Sequence, residues 1–143
     1  NQEKLRVAEE AYLKQLGSLN ELFGHMQSIT TDSRVTFESS LTAAEFGKER
    51  EKFLGDLTQK MGESTELPTI EEIERVWYEI MREMKATGEV SRFSATVINV
   101  DGTQTECNVV RIGVYNAVCG NSYLEYVPSK GQYQFLARQP AGR

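Results

Sequence analysis

Residues 67–88 read Leu67-Pro-Thr-Ile-Glu-Glu-Ile-Glu-Arg-Val-Trp-Tyr-Glu-Ile-Met-Arg-Glu-Met-Lys-Ala-Thr-Gly88, and they divide a helical half of the chain from a strand half. Pro68 disfavours helix at Leu67, so the helix starts after it. Thr69 and Glu72 fit an S/T-x-x-E capping box, in which each side chain takes the other's free backbone N–H. Glu71, Glu72 and Glu74 sit where the positive end of the helix dipole favours carboxylates, and Lys85 sits near the negative end. Gly88 suits the helix terminus. Ile70, Ile73, Val76, Trp77, Ile80, Met81 and Met84 recur at three- and four-residue spacing and make an apolar stripe. Trp77, the single tryptophan, lies mid-stripe and is expected to anchor the core.

Downstream of Gly88 the period changes from 3.6 to 2. Residues 92–100 are rich in β-branched and aromatic side chains. Asp101-Gly102 then suits a two-residue type I′ hairpin, returning through residues 103–112. Gly113 bends the chain before residues 114–119. Gly120-Asn121 marks a second tight turn before 122–127, and Pro128-Ser-Lys-Gly131 a third before 132–137. Tyr115, Tyr123, Tyr126, Tyr133 and Phe135 gather in this half. A bare sheet of this size is marginal, so it needs a cover, and the Trp77 helix is the expected one.

Upstream, Leu5, Ala8, Tyr12, Leu16, Leu19, Phe23 and Met26 step by three and four with a mean of about 3.5, the heptad value. The stripe fits either a coiled-coil strand or an ordinary helix on a small core. The chain starts inside this pattern, so more coil is expected before Asn1. The pattern softens over residues 27–46, through Phe37, Leu41 and Ala44, and ends near Gly47. Residues 48–61 make a short helix burying Phe53, Leu54, Leu57 and Met61, and residues 63–67 are a linker. The polar end, residues 138–143, reads as an exit linker toward a membrane segment outside this chain. The expected class is α+β: a long helix and short helices, then a capped helix on a small antiparallel meander sheet or half-barrel. The expected division is a helical or coiled-coil region over 1–66, a compact α+β part over 67–137 and the exit linker.

The 143 residues carry a net charge of −5, with 39% hydrophobic and 26% charged residues. Residues 1–87 hold 11 Lys+Arg against 17 Asp+Glu, and residues 88–143 hold 5 against 4. The acidic excess belongs to the helical half, and the balance argues against a nucleic-acid surface. No apolar run approaches the ~18 residues of a membrane helix. Cys107 and Cys119 lack metal-site spacing. They could pair in an oxidising compartment, or stand as two small buried hydrophobes.

Catalytic signatures are missing from the sequence. His25 is the lone histidine and reads as a surface residue. There is no G-x-S-x-G elbow, no G-x-G-x-x-G and no phosphate loop. The acid pairs Glu71/Glu72 and Glu49/Glu51 have basic neighbours at helical spacing, which suits solvated ion pairs. No cofactor or metal is expected. An interaction module fits these residues better than an enzyme. A second class is a module whose strand-half aromatics bind peptidoglycan or a small ligand; a hydrolase is the least favoured.

Several stretches resemble a known family. They are Leu19-Asn-Glu-Leu-Phe-Gly24, Glu66-Leu-Pro-Thr-Ile-Glu-Glu-Ile-Glu-Arg-Val-Trp77 continuing to Gly88-Glu-Val-Ser-Arg-Phe93, and Leu136-Ala-Arg-Gln-Pro-Ala-Gly-Arg143, with Val109-Val-Arg-Ile-Gly-Val-Tyr-Asn116 between. In this order they resemble the periplasmic N-terminal region of large MotA/TolQ/ExbB-type proton-channel proteins, the extended ExbB-like (TtpC-like) subunits of TonB systems. The two cysteines are not part of that pattern. The resemblance implies a periplasmic coiled coil and small domain of an inner-membrane protein, with the channel helices elsewhere. It implies ExbB-, ExbD- and TonB-type partners, homo-oligomers, and a role in outer-membrane iron-siderophore or haem uptake. On that reading Leu5, Tyr12, Leu16, Leu19, Phe23 and Met26 form an assembly stripe, with no catalytic residue.

Overall fold

The structure is a computed structural model and describes residues 2–63 and 66–141. The expected linker over 63–67 and exit linker over 138–143 therefore fall partly outside the described residues. Three helices, α1 (Gln2–Ser39), α2 (Ala43–Glu63) and α3 (Ile70–Thr87), precede five strands. The strands are β1 (Val90–Ile98), β2 (Gln104–Ile112), β3 (Asn116–Cys119), β4 (Ser122–Val127) and β5 (Gln132–Phe135). The class is α+β, as the change of period after Gly88 predicts.

The strands follow one another as an antiparallel meander, and β5 closes on β1 to complete a barrel. With five strands the first and last must run the same way, and Val97 pairs with Tyr133 in parallel. Closure removes the sheet edges that would otherwise invite aggregation. Alternate residues point inward, so Val97, Cys107, Val109, Ala117, Leu124 and Tyr133 form one buried cluster. Leu41, from the elbow between α1 and α2, and Ala44, in the first turn of α2, pack against it with Phe93 and Phe135. The barrel's cover is thus that elbow rather than the Trp77 face.

The first hairpin is longer than the expected two-residue type I′ turn. Ile98 pairs with Gln104, leaving residues 99–103 as the connection. The Gly102 N–H donates to the Asn99 carbonyl at 2.9 Å, and only Gly102 has positive φ, at 87°. Asp101 stays at negative φ and instead accepts from the Thr103 N–H and hydroxyl. At Gly120-Asn121 the two-residue turn does form, with Gly120 at φ 59°.

The helices make a second core of Met26, Phe37, Leu54, Leu57, Met61 and Val76. Burying each such side chain stabilises the fold by about 1.5–3 kcal/mol. This cluster joins residues on both sides of the expected 66/67 division. α1 stops at Ser39 and the chain turns through residues 40–42 into α2. Gly47, at φ 73° and ψ 178°, kinks α2 where the softer segment was expected to end. That backbone conformation is open essentially to glycine alone.

Candidate interaction surface

The heptad stripe changes environment along α1. Met26 is 8% exposed, Phe37 is buried and Phe23 packs against the same core. Residues 3–22 are all exposed. Leu5, Tyr12, Leu16 and Leu19 therefore continue the buried line of Phe23, Met26 and Phe37, with nothing over them. At 1.5 Å per residue this uncovered half is about 30 Å long. Leu13 and Leu22 widen it. Of the predicted assembly stripe, four residues are free and two are core.

The second free face is on α3, where the expectation for Trp77 fails. Trp77 is 55% exposed, and Ile70, Met81 and Met84 are exposed with it. The side of α3 turned to the core carries Val76, Ile73, Ile80 and Ala86, and with them the carboxylates Glu79 and Glu83. Relative to the centre of the apolar arc, the helix is rotated by about a quarter turn, at 100° per residue. The acids on the covered side are paired, which offsets the cost of taking them out of water. Glu79 is fully buried, with Arg75 at 2.9 Å and Arg82 at 3.5 Å. Glu83 receives Arg50 at 2.8 Å and the hydroxyls of Ser40 and Thr42. A hydrophobicity reading places acids outside, so Glu79 and Glu83 were missed. The available signal was their i,i+4 spacing on the side of Val76 and Ala86, opposite Trp77.

The capping box at the start of α3 forms as predicted. The Thr69 Oγ1 accepts from the Glu72 N–H at 3.2 Å, and Glu72 accepts from the Thr69 N–H at 2.8 Å. Lys60 of α2 reaches Glu72 at 2.9 Å. Against the desolvation that would raise it, the Thr69 amide and Lys60 hold the Glu72 carboxyl below its usual range.

Two further buried groups fasten the barrel to the helices. Arg111 of β2 donates to Glu45 of α2 at 2.8 Å and to the carbonyls of Ala86 and Gly113 at 3.0 and 2.6 Å. Glu45 also accepts from Ser91. Tyr133 donates its hydroxyl to the Leu41 carbonyl in the elbow. Burial pushes that hydroxyl far above the usual tyrosine range. Arg50 is fully buried, stacked 4.5 Å over Phe37 and 5.2 Å from Phe46. These ties join α2, α3 and the C-terminal end of α1 to the barrel.

Cys107 and Cys119 are bonded, with Cα atoms 6.2 Å apart. Cys119 lies opposite Val109, so the bond runs diagonally from β2 to the end of β3, inside the barrel. Of the strand-half aromatics, Tyr126, Tyr133 and Phe135 line the interior, whereas Tyr115 is 73% exposed and Tyr123 only 39%. Tyr133 is buried among the inward residues, and Tyr126 and Phe135 pack partly buried against it.

Among the described residues no three His, Cys, Asp or Glu side chains gather as a metal set, and no helix is long and apolar enough to cross a membrane. His25 is exposed, 3.8 Å from Glu21. Among the described residues two apolar helix faces stand exposed, one on α1 and one on α3. No family model, no curated protein and no solved structure matches the chain.

Proposed function

We propose that this chain is a non-enzymatic periplasmic interaction and assembly domain of an ExbB-like protein that energises a TonB system for iron-siderophore or haem uptake. The observation that carries it is the uncovered line Leu5, Tyr12, Leu16 and Leu19, which prolongs a stripe already used for helix packing. A soluble helix does not hold out four turns of aligned apolar side chains without a partner for them. The Cys107–Cys119 bond supports an oxidising compartment such as the periplasm. The TonB-system assignment rests on the resemblance of the quoted stretches, and the partners it implies are ExbB-, ExbD- and TonB-type proteins and further copies of the chain.

Photo-cross-linking from Tyr12 and Leu16 in the intact protein, in cells, tests the reading. The expected adducts contain a second copy or one of those three partner types. Adducts with none of them would remove the assignment. Adducts from Tyr12 that vanish with Leu16→Glu would place the contact on the stripe.

A further inference from the structure

The outward side of α3 is separate from the α1 stripe, and its pattern is self-complementary. We infer that this face is a two-fold interface with a second copy of the chain, the two α3 helices running antiparallel and crossing at Trp77.

The centre of the face is apolar: Ile70, Trp77, Met81 and Met84 are 55–72% exposed. One flank carries charge sorted by sign. Glu71 and Glu74 stand toward the N-terminal end, Tyr78 in the middle, and Arg82 and Lys85 toward the C-terminal end. In an antiparallel pair each flank meets its own copy. Crossing at Trp77 then sets Ile70 against Met84 of the partner copy, Tyr78 against its equivalent, and Glu71 and Glu74 against Lys85 and Arg82 of the partner copy. A parallel pair would lay the charged flank on the partner's apolar flank and leave the charges unmatched. The charges thus select one orientation, and the apolar centre supplies the affinity. A cleft of about 580 Å³ between Phe46 and the Tyr78, Met81 and Arg82 side chains opens on the same flank and has room for the partner's Tyr78. Arg82 is already held by the Phe46 ring at 3.7 Å and by Glu79 at 3.5 Å, whereas the Lys85 side chain is 75% exposed beside Glu89, so Glu71 and Lys85 are the cleaner pair to test. A two-fold contact of this kind closes on itself and stops at a dimer.

The test is light scattering of the whole chain from micromolar to millimolar concentration, with circular dichroism to confirm folding of each variant. A concentration-dependent dimer is expected. Trp77→Glu should weaken it about thirtyfold or more, the loss typical of a central aromatic. Glu71→Lys and Lys85→Glu should each weaken it, and together restore it. Both reversals oppose the helix dipole, so an effect on the helix alone would make the double variant worse than either single one. The whole series is run in the Leu16→Glu background, where the α1 stripe is blocked, so the remaining association reports α3 alone and its fate stays apart from that of the α1 reading. Three results would overturn the inference: a monomer at every concentration, a dimer that Trp77→Glu leaves intact, or a double reversal weaker than the singles.

Discussion

Trp77 and Leu57 both look like core residues in the sequence, and only Leu57 is one, at 2% exposure. Leu57→Ala should cost about 2–5 kcal/mol through the cavity it leaves. Trp77→Ala should stay within about 0.5 kcal/mol in dilute monomer, as surface changes do. Urea midpoints of the two variants decide; equal shifts would mean that Trp77 is core after all. Tyr133 carries a second prediction. Its hydroxyl pairs with Leu41 in the fold, and Tyr133→Phe leaves that carbonyl unpaired, a loss of about 1–3 kcal/mol. The fold holds the hydroxyl neutral above pH ~10, where an unfolded tyrosine ionises. The raised pKa therefore contributes stability that is complete below that pH and falls away as pH climbs above it. The Phe variant should show a flatter decline in alkali. Tyr126 is shifted the same way, mainly by burial, and keeps some slope. Polar residues at this scale were the hardest to place from sequence. Arg50, Glu79, Glu83 and Arg111 have the composition of a surface; Arg50–Glu83 and Arg111–Glu45 pair only across the fold, and Glu79 has local partners whose spacing looks the same on an exposed face.

The boundaries of α3 were readable because they depend on neighbours in the chain. Thr69 and Glu72 are three residues apart, and their reciprocal bonds need no tertiary help. Thr69→Ala should cost about 1 kcal/mol. An unchanged thermal midpoint would mean that the helix starts elsewhere. Its rotation was not readable, since the apolar arc spans more of the helix than the core covers, and which part is covered depends on partners far off in sequence. The hairpins divide the same way. Gly120-Asn121 fixes a two-residue turn locally. At Asp101-Gly102 the pairing of Ile98 with Gln104 lengthens the loop, and the Asp101 side chain turns to Thr103. Barrel closure was equally hidden, because Val97 and Tyr133 meet only once five strands have coiled.

In the whole molecule, two cores share one set of buried polar ties, and α1 runs out beyond both. Most helical stability comes from tertiary packing, and residues 3–22 are exposed throughout. In dilute monomer the amides of residues 3–22 should exchange within seconds to minutes, while those of residues 26–37 follow global unfolding. Uniform protection along α1 would show that the stripe is covered. Closure of the barrel has a mechanical side as well. The chain enters β1 at Val90 and leaves β5 at Phe135, and the two strands lie side by side pointing the same way. Tension between α3 and the segment after β5 would therefore slide β1 against β5, loading their hydrogen bonds together, whereas tension across the β3–β4 turn would peel that hairpin one bond at a time. Single-molecule pulling from the first pair of points should show one abrupt high-force rupture, and from the second a low, gradual yield. A domain tethered at those two ends would transmit load instead of stretching.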